Sequence, residues 1–282
     1  MIRFSKYYWV YCFISALVLV PGVYSLVRFG LRQSIDFTGG TLLEVSFDKP
    51  VDESLIAEAV KTSNNTYLFH MKPGESEKVA STATILRNET VGPVLGSELL
   101  VKSVVAAVLA IFGIFFYVAY AFRNAKFGAS AIVALIHDLL VVLGVYSLLG
   151  VFLGVEVDTL FVTAFLTTMS FSVHDTIVVF DRIREYRRRD EKTAFDQIAD
   201  RALNETMGRS LTNSFTIVFM LLSLILMGGS TIRWFVVALL VGTISGTYSS
   251  PFVATPILLL WDWWEKSPHR RPAGEAGGKK AS

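Results

Sequence analysis

One cysteine in 282 residues, Cys12, is too few for a disulfide framework or a thiolate metal site. Charge is scarce too. Only 18% of residues are Asp, Glu, Lys or Arg, 52% are hydrophobic, and the mean hydropathy is +0.51. A soluble domain of this length would need more charge to cover its surface, so that class is excluded. No GxxxxGK[ST] loop and no HExxH pair occurs, so the motifs of an ATPase or a metalloprotease are missing. No ligand spacing signals a metal. The expectation is a protein that is not an enzyme, holds no cofactor or metal, and has no nucleic-acid partner. Arg3 and Lys6 precede the first apolar run, but that run is long and no small-x-small cleavage site follows it. It reads as an uncleaved anchor rather than a secretory signal.

What fills the chain instead is apolar runs of about 20 residues or more, long enough to cross the hydrocarbon of a bilayer. Six recur, at 8–27, 100–121, 129–149, 158–181, 209–228 and 234–262. The expected fold class is a polytopic α-helical membrane protein with six transmembrane helices and a small external α+β domain. Positive charge is sorted by side. Arg123 and Lys126 occupy the second-to-third connection, Arg182 to Lys192 crowd the fourth-to-fifth, and Lys266, Arg270, Arg271, Lys279 and Lys280 lie in the tail. "GVFLGVEVD" carries no positive residue and "GGSTIR" only Arg233. By the positive-inside rule both termini are cytoplasmic. The implied division is 1–29 for the N-terminus and first helix, 30–99 for the external domain, 100–264 for a five-helix bundle with a basic cytoplasmic loop at 182–208, and 265–282 for a tail expected to be disordered.

Within 30–99, "SIDFTGGTLLEVSF" has β-type residues on both sides of Gly39 and Gly40, which reads as a bulge or a close backbone approach. "VDESLIAEAVKTS" reads as a helix, and "TYLFHM" and "ASTATILRN" as strands joined by the turn "KPGESEK". The order is β-α-β-β. At about 70 residues such a module sits near the lower limit for an independent core and should lean on a partner. In the basic loop, Phe195, Ile198, Ala202 and Leu203 share one helical face behind a Thr193–Asp196 capping pattern. This predicts an amphipathic helix on the inner membrane surface.

The polar residues inside the apolar runs are the candidate site. Asp175 lies about seven residues before Arg182, roughly 10 Å inside the cytoplasmic boundary at 1.5 Å per residue. Thr168, Ser172, Asp175 and Val179 share its helical face, which must look into the bundle. Arg209, Asn213, Thr216, Met220 and Ser223 form a matching stripe on the fifth run, and His137 and Asp138 sit in the inner half of the third. Asp175, Asp138, His174, His137 and Arg209 are therefore expected to converge in one layer. Ala238, Gly242, Gly246 and Ser250 recur every four residues on the sixth run, a small-residue face that permits close packing, and Pro251 and Pro256 should bend it. The plainer alternative is a static ion pair at Asp175, with packing histidines.

Taken together, "DFTGG" (36–40), "VGPVLGSEL" (91–99), "HDLLVVLGVYSLLG" (137–150), "HDTIVVFDRIRE" (174–185), "NETMGRS" (204–210), "LMGG" (226–229) and "GTYSSPFVATP" (246–256) resemble the SecF side of the SecD/SecF protein-export family, within the RND-type superfamily. The resemblance runs in order from the first helix to about Trp264. It implies a half-transporter paired with SecD in the bacterial inner membrane, working with the SecYEG channel, YajC and translocating preproteins under proton-motive force. It places Asp175 on the proton path, Arg209 on the basic residue of the following helix, and Asp36, Gly39 and Gly40 in an external-domain motif. One departure is His174, where the family usually has Asn. Two other readings stay open: an RND-like exporter half for a small molecule or lipid, and a static channel-assembly factor.

Overall fold

The computed structural model describes residues 4–46, 59–63, 66–71, 84–190 and 192–266. After a 3-10 turn at Phe4–Tyr7 come α1 (Tyr8–Phe29), a one-turn helix α2 (Ile35–Thr38), strands β1 (Gly40–Ser46), β2 (Ala59–Ser63), β3 (Thr66–Met71) and β4 (Thr84–Val91), and then α3 (Pro93–Phe122), α4 (Ala125–Leu153), α5 (Thr159–Arg189), α6 (Phe195–Met227) and α7 (Ser230–Ser249). A π-helical turn, Ser250–Ala254, joins α7 to α8 (Thr255–Lys266). Among the described residues six helices are long and apolar enough to cross a membrane, the sixth being the continuous span Ser230–Glu265. The predicted polytopic helical fold is therefore found. The bend expected at Pro251 and Pro256 takes the form of the π turn, where missing proline N–H groups interrupt the regular ladder.

The bundle has inner and outer helices. About half of the crossing windows of α4 (56%), the α7–α8 span (50%) and α5 (44%) are buried, against 11% for α1 and α6 and none for α3. Glycines set the closest contacts. A Cβ on Gly144 of α4 would fall 2.7 Å from Gly22 Cα of α1, so only paired glycines allow that approach. Ser25 and Ser147 hydrogen-bond one turn further on, at 2.8 Å.

Among the described residues, the segment between α1 and α3 forms a four-stranded antiparallel sheet in the order β2-β3-β1-β4. Alternate residues Thr41, Leu43 and Val45 of the central strand β1 are buried, as a one-faced strand requires. Two expectations are corrected here. Ile35–Thr38 is a helical turn and not a strand: Ser34 accepts from Asp36 N at its start, and Gly39 (φ 71°) and Gly40 (φ 132°) take the positive-φ conformations that switch helix to strand. Residues 59–63, expected to close a helix, form β2, which pairs antiparallel with β3 with a register shift between Lys61 and Ser63. Residues 51–58 of that expected helix, the turn at 72–78 and the tail 267–282 lie outside the described residues.

A third correction concerns the 193–208 segment. It is the first half of α6, continuous with the fifth membrane crossing. Its apolar face (Phe195, Ile198, Ala202 and Leu203) is buried in the protein core with Phe4, Ile183 and Leu258. Thr193 does not cap the helix. Its hydroxyl bonds Asp190 at 2.5 Å, and that exposed carboxyl is held below the usual carboxylate range, chiefly by this bond.

Candidate functional site

The structure sorts the five ionisable residues into two groups, His137 with Asp138 and Asp175 with His174 and Arg209.

The first is a closed knot around Asp138 of α4. Close α5–α7 packing brings its partners in. A Cβ on Gly242 would fall 2.1 Å from Thr168 Cγ2, and one on Gly246 would fall 3.0 Å from Ser172 Cα. With α7 drawn so near, the Asp138 carboxylate accepts from Ser172 Oγ of α5 and from Ser245 and Ser249 Oγ of α7, each at 2.6 Å. His137 Nδ1 lies 3.1 Å away. A carboxylate offers about four acceptor positions, and four donors or potential donors surround this one. The knot is dry: Asp138 is 3% exposed and Ser172 and Ser249 1% or less. His137 Nε2 is buried with no hydrogen-bond partner. Thr176 and Ser250 extend the polar belt toward the π turn, 2.9 Å apart. Ser245 and Ser249 were not picked out in the sequence, although their i, i+4 spacing beside the small-residue stripe was a usable signal.

The second cluster is open. Asp175 is itself buried at 8% exposure, but it stands at the wall of a cavity of about 560 Å³ between α5 and α6. His174 and Val178 line it from α5, and Gly208, Arg209, Asn213 and Thr216 from α6. His174 and Arg209 are the ionisable neighbours of Asp175 in that lining. No direct ion pair or hydrogen bond ties its carboxylate to them. Arg209, Asn213, Thr216 and Met220 of the α6 stripe are exposed, and the first three open onto the cavity that Asp175 walls. The hydroxyls of Thr212 and Thr216 bond back to their own helix at 2.9 Å. Past Arg209, the α6 residues turned inward are Ser214 and Leu221, Ser214 meeting Thr247 of α7 at 2.6 Å. A polar seam thus lies uncovered along a helix that should contact lipid or another chain.

A third feature links α5 to the segment that carries the sheet. Asp36, in the DFTGG stretch, accepts from both Thr159 N (2.9 Å) and Thr159 Oγ1 (2.8 Å) at the start of α5. Asp158 caps the same end through Phe161 N at 2.7 Å. Two carboxylates at a helix N-terminus satisfy orphan N–H groups and oppose the positive end of its dipole. Gly96 of α3 allows the adjoining contact, since a Cβ there would lie 2.9 Å from Phe37 O. At the other end of α5, Arg182 and Tyr186 both bond Glu205 of α6. Ser5 bonds Asp200 through backbone and side chain, each at 2.8 Å, fixing the N-terminal turn on α6. Among the described residues no group of His, Cys, Asp and Glu is arranged to hold a metal.

Comparisons with known proteins place these features in a family. Residues 73–264 match the family described as protein export membrane protein SecD/SecF, C-terminal, and residues 24–51 match the SecD/SecF GG motif. The protein translocase subunit SecF of Thermobaculum terrenum is 40% identical over 93% of this chain and 94% of its own length. That of Anaerolinea thermophila is 38% identical over 88% and 90%. The crystal structure of SecDF, a translocon-associated membrane protein from Thermus thermophilus, superposes with a TM-score of 0.82 at 31% identity. The superposition covers 93% of this chain but only 38% of that longer one.

Proposed function

Because the chain belongs to the SecD/SecF family of protein-export membrane proteins, we propose that it is the smaller half of a two-part machine in which proton transfer at Asp175 drives movement coupled to protein export. The family fixes the coarser statement: this is a multi-pass membrane protein of the protein-translocation apparatus, with SecD as partner. The finer reading is ours. It places the chain in the bacterial inner membrane with both termini cytoplasmic, acting beside the SecYEG channel and YajC on emerging preproteins. It needs no covalent chemistry, so we read the protein as a coupling subunit and not an enzyme.

One observation carries this reading: a buried carboxylate forming the wall of an open polar cavity, facing a guanidinium it does not bond. A carboxylate in that position changes greatly in solvation cost when it takes up a proton. A guanidinium keeps its charge at any working pH, so Arg209 cannot carry the proton, but it can favour the ionised state of its neighbour. Proton binding would then bias α5 and α6 between two packings. The Asp36 clamp on the start of α5 would pass the change to the external sheet. The exposed Arg209–Asn213–Thr216 stripe is the surface a SecD chain would cover. His137 and Asp138, enclosed by donors, we assign to holding the bundle together.

The test is export driven by proton-motive force in membranes that lack the native subunit. Asp175→Asn keeps the shape and should assemble with its partner yet lose the driven step. Arg209→Met should lose about as much, and the double variant little more than either, because the two act as one unit. Full driven export by Asp175→Asn would reduce the cluster to a structural role.

A further inference from the structure

A second cavity, of about 540 Å³, lies at the opposite end of the bundle from the external sheet, where α3, α4, α5, α6 and α8 come together. Five cations line it: Arg123, Lys126, Arg184, Arg187 and Arg188. Asp262 is the one carboxylate in its lining. Several of the cations are committed. Arg187 pairs with Asp262 at 3.3 Å, Lys126 with Glu265, and Arg184 donates to Ala121 O at 2.9 Å. Arg123 and Arg188 are exposed and form no ion pair among the described residues. The deeper walls are apolar, made by the stacked Phe122 and Phe127 rings (5.2 Å between centroids) and Leu258.

The backbone at Arg123 is the second observation. This residue closes α3 in the left-handed conformation (φ 51°, ψ 28°), and it is the one non-glycine residue with positive φ among those described. Glycine or asparagine is usual at such a helix end, because a Cβ is disfavoured there. A large cation held in this conformation at the mouth of a basic cleft points to a task other than ending the helix.

We infer that this cleft binds the headgroup of an anionic phospholipid. Basic pockets between transmembrane helices suit anionic lipid headgroups, each nearby Lys or Arg adding to the attraction. A free soluble anion would match the cations but not the aromatic and aliphatic walls, which fit the glycerol and upper acyl region of a lipid. Trp261, Trp263 and Trp264 on the neighbouring α8 are the residue type that settles at headgroup depth. The cleft is separate from the Asp175 cavity and does not depend on its role.

The experiment uses the full-length protein, delipidated in detergent, and titrates it with dioctanoyl phosphatidylglycerol, dioctanoyl phosphatidylcholine and inorganic phosphate under native mass spectrometry. Phosphatidylglycerol should bind about tenfold more tightly than phosphatidylcholine, and phosphate more weakly than either. Arg123→Gly combined with Arg188→Gln should reduce phosphatidylglycerol to the level of phosphatidylcholine, whereas Arg28→Gln, at the far end of α1, should change nothing. Arg123→Gly alone should raise the Tm, by relieving the left-handed position, while still weakening phosphatidylglycerol about fivefold; this keeps a lost ligand distinct from a lost fold. Equal binding of the two lipids, or unchanged binding in the double variant, would overturn the proposal. Phosphate binding as tightly as phosphatidylglycerol would do so as well, making the cleft a soluble-anion site.

Discussion

Asp138 and Asp175 are both nearly buried aspartates in membrane helices, on α4 and its packing neighbour α5, and each follows a histidine directly. Their surroundings differ in every other respect. Asp138 accepts from three serines on two other helices and is 3% exposed. Asp175 faces a cavity, with Arg209 across it and no bond made. A buried charge that is fully hydrogen-bonded is expensive to disturb, so it holds a structure in place. A buried charge left partly unsatisfied beside open space can change state without dismantling its neighbours. On the proposed function, the same residue type would be a fastener in one place and a switch in the other.

The most direct way to break this contrast is to exchange the consequences. Asp175→Asn should leave thermal stability within about 1 kcal/mol while removing driven export. Asp138→Ala should do the reverse. It strands three serine hydroxyls and His137 in a dry site, which should cost about 2–4 kcal/mol. Whatever protein survives should still respond to proton-motive force. Asp138→Asn, which retains one acceptor oxygen, should fall between. Thermal unfolding in detergent and export assays on the same membranes would check both halves. An Asp138→Ala protein that is stable but inert would put the proton path through α4.

A smaller effect tests what positions the fastener. Gly242→Ala places a methyl group 2.1 Å from Thr168 Cγ2, so α5 and α7 must separate. A cost of about 1–3 kcal/mol is expected, as for overpacking in other cores. Thr168→Gly in the same chain moves the small residue across the interface and should recover most of it. If Gly242→Ala is neutral by itself, the close α5–α7 approach does not set the Asp138 geometry.

Much of this architecture could be read from the residues, for identifiable reasons. Lipid demands long apolar runs, so the six crossings stand out, and the four-residue repeat from Ala238 to Ser250 marks a packing face in any membrane helix. The side of α5 carrying Thr168, Ser172 and Asp175 could be named, because periodicity fixes which residues share a face. Periodicity does not say which helix lies opposite. Asp175, His174 and Arg209 line one cavity, whereas Asp138 meets serines of α5 and α7 instead. The expectation for the 195–208 segment failed, since an apolar face made for a membrane surface looks the same as one made for a groove between helices. Serines 245 and 249 stayed hidden because hydroxyls in membrane helices so often bond back to their own turn, as Thr212 and Thr216 do here.

The finest test concerns the proposed link between Asp175 and the four-stranded sheet. Asp36 closes the start of α5 by accepting from Thr159 N and Oγ1. As a cap alone, its loss in Asp36→Ala should cost about 1 kcal/mol, softened because Asp158 still holds Phe161 N. Export should then fall only as far as the amount of folded protein falls. If Asp36 also carries motion from α5 to the sheet, export under proton-motive force should drop several-fold more than that, while export without it stays unchanged. Thr159→Ala separates the two accounts further. It deletes the hydroxyl bond and leaves the backbone N–H bond, so a cap should barely notice it, whereas a mechanical link should weaken by an intermediate amount. Matching losses of export and folded protein in both variants would make Asp36 a cap and nothing more, and the signal from Asp175 would have to reach the external domain by another route, such as the Gly96 contact between α3 and the Asp36–Phe37 backbone.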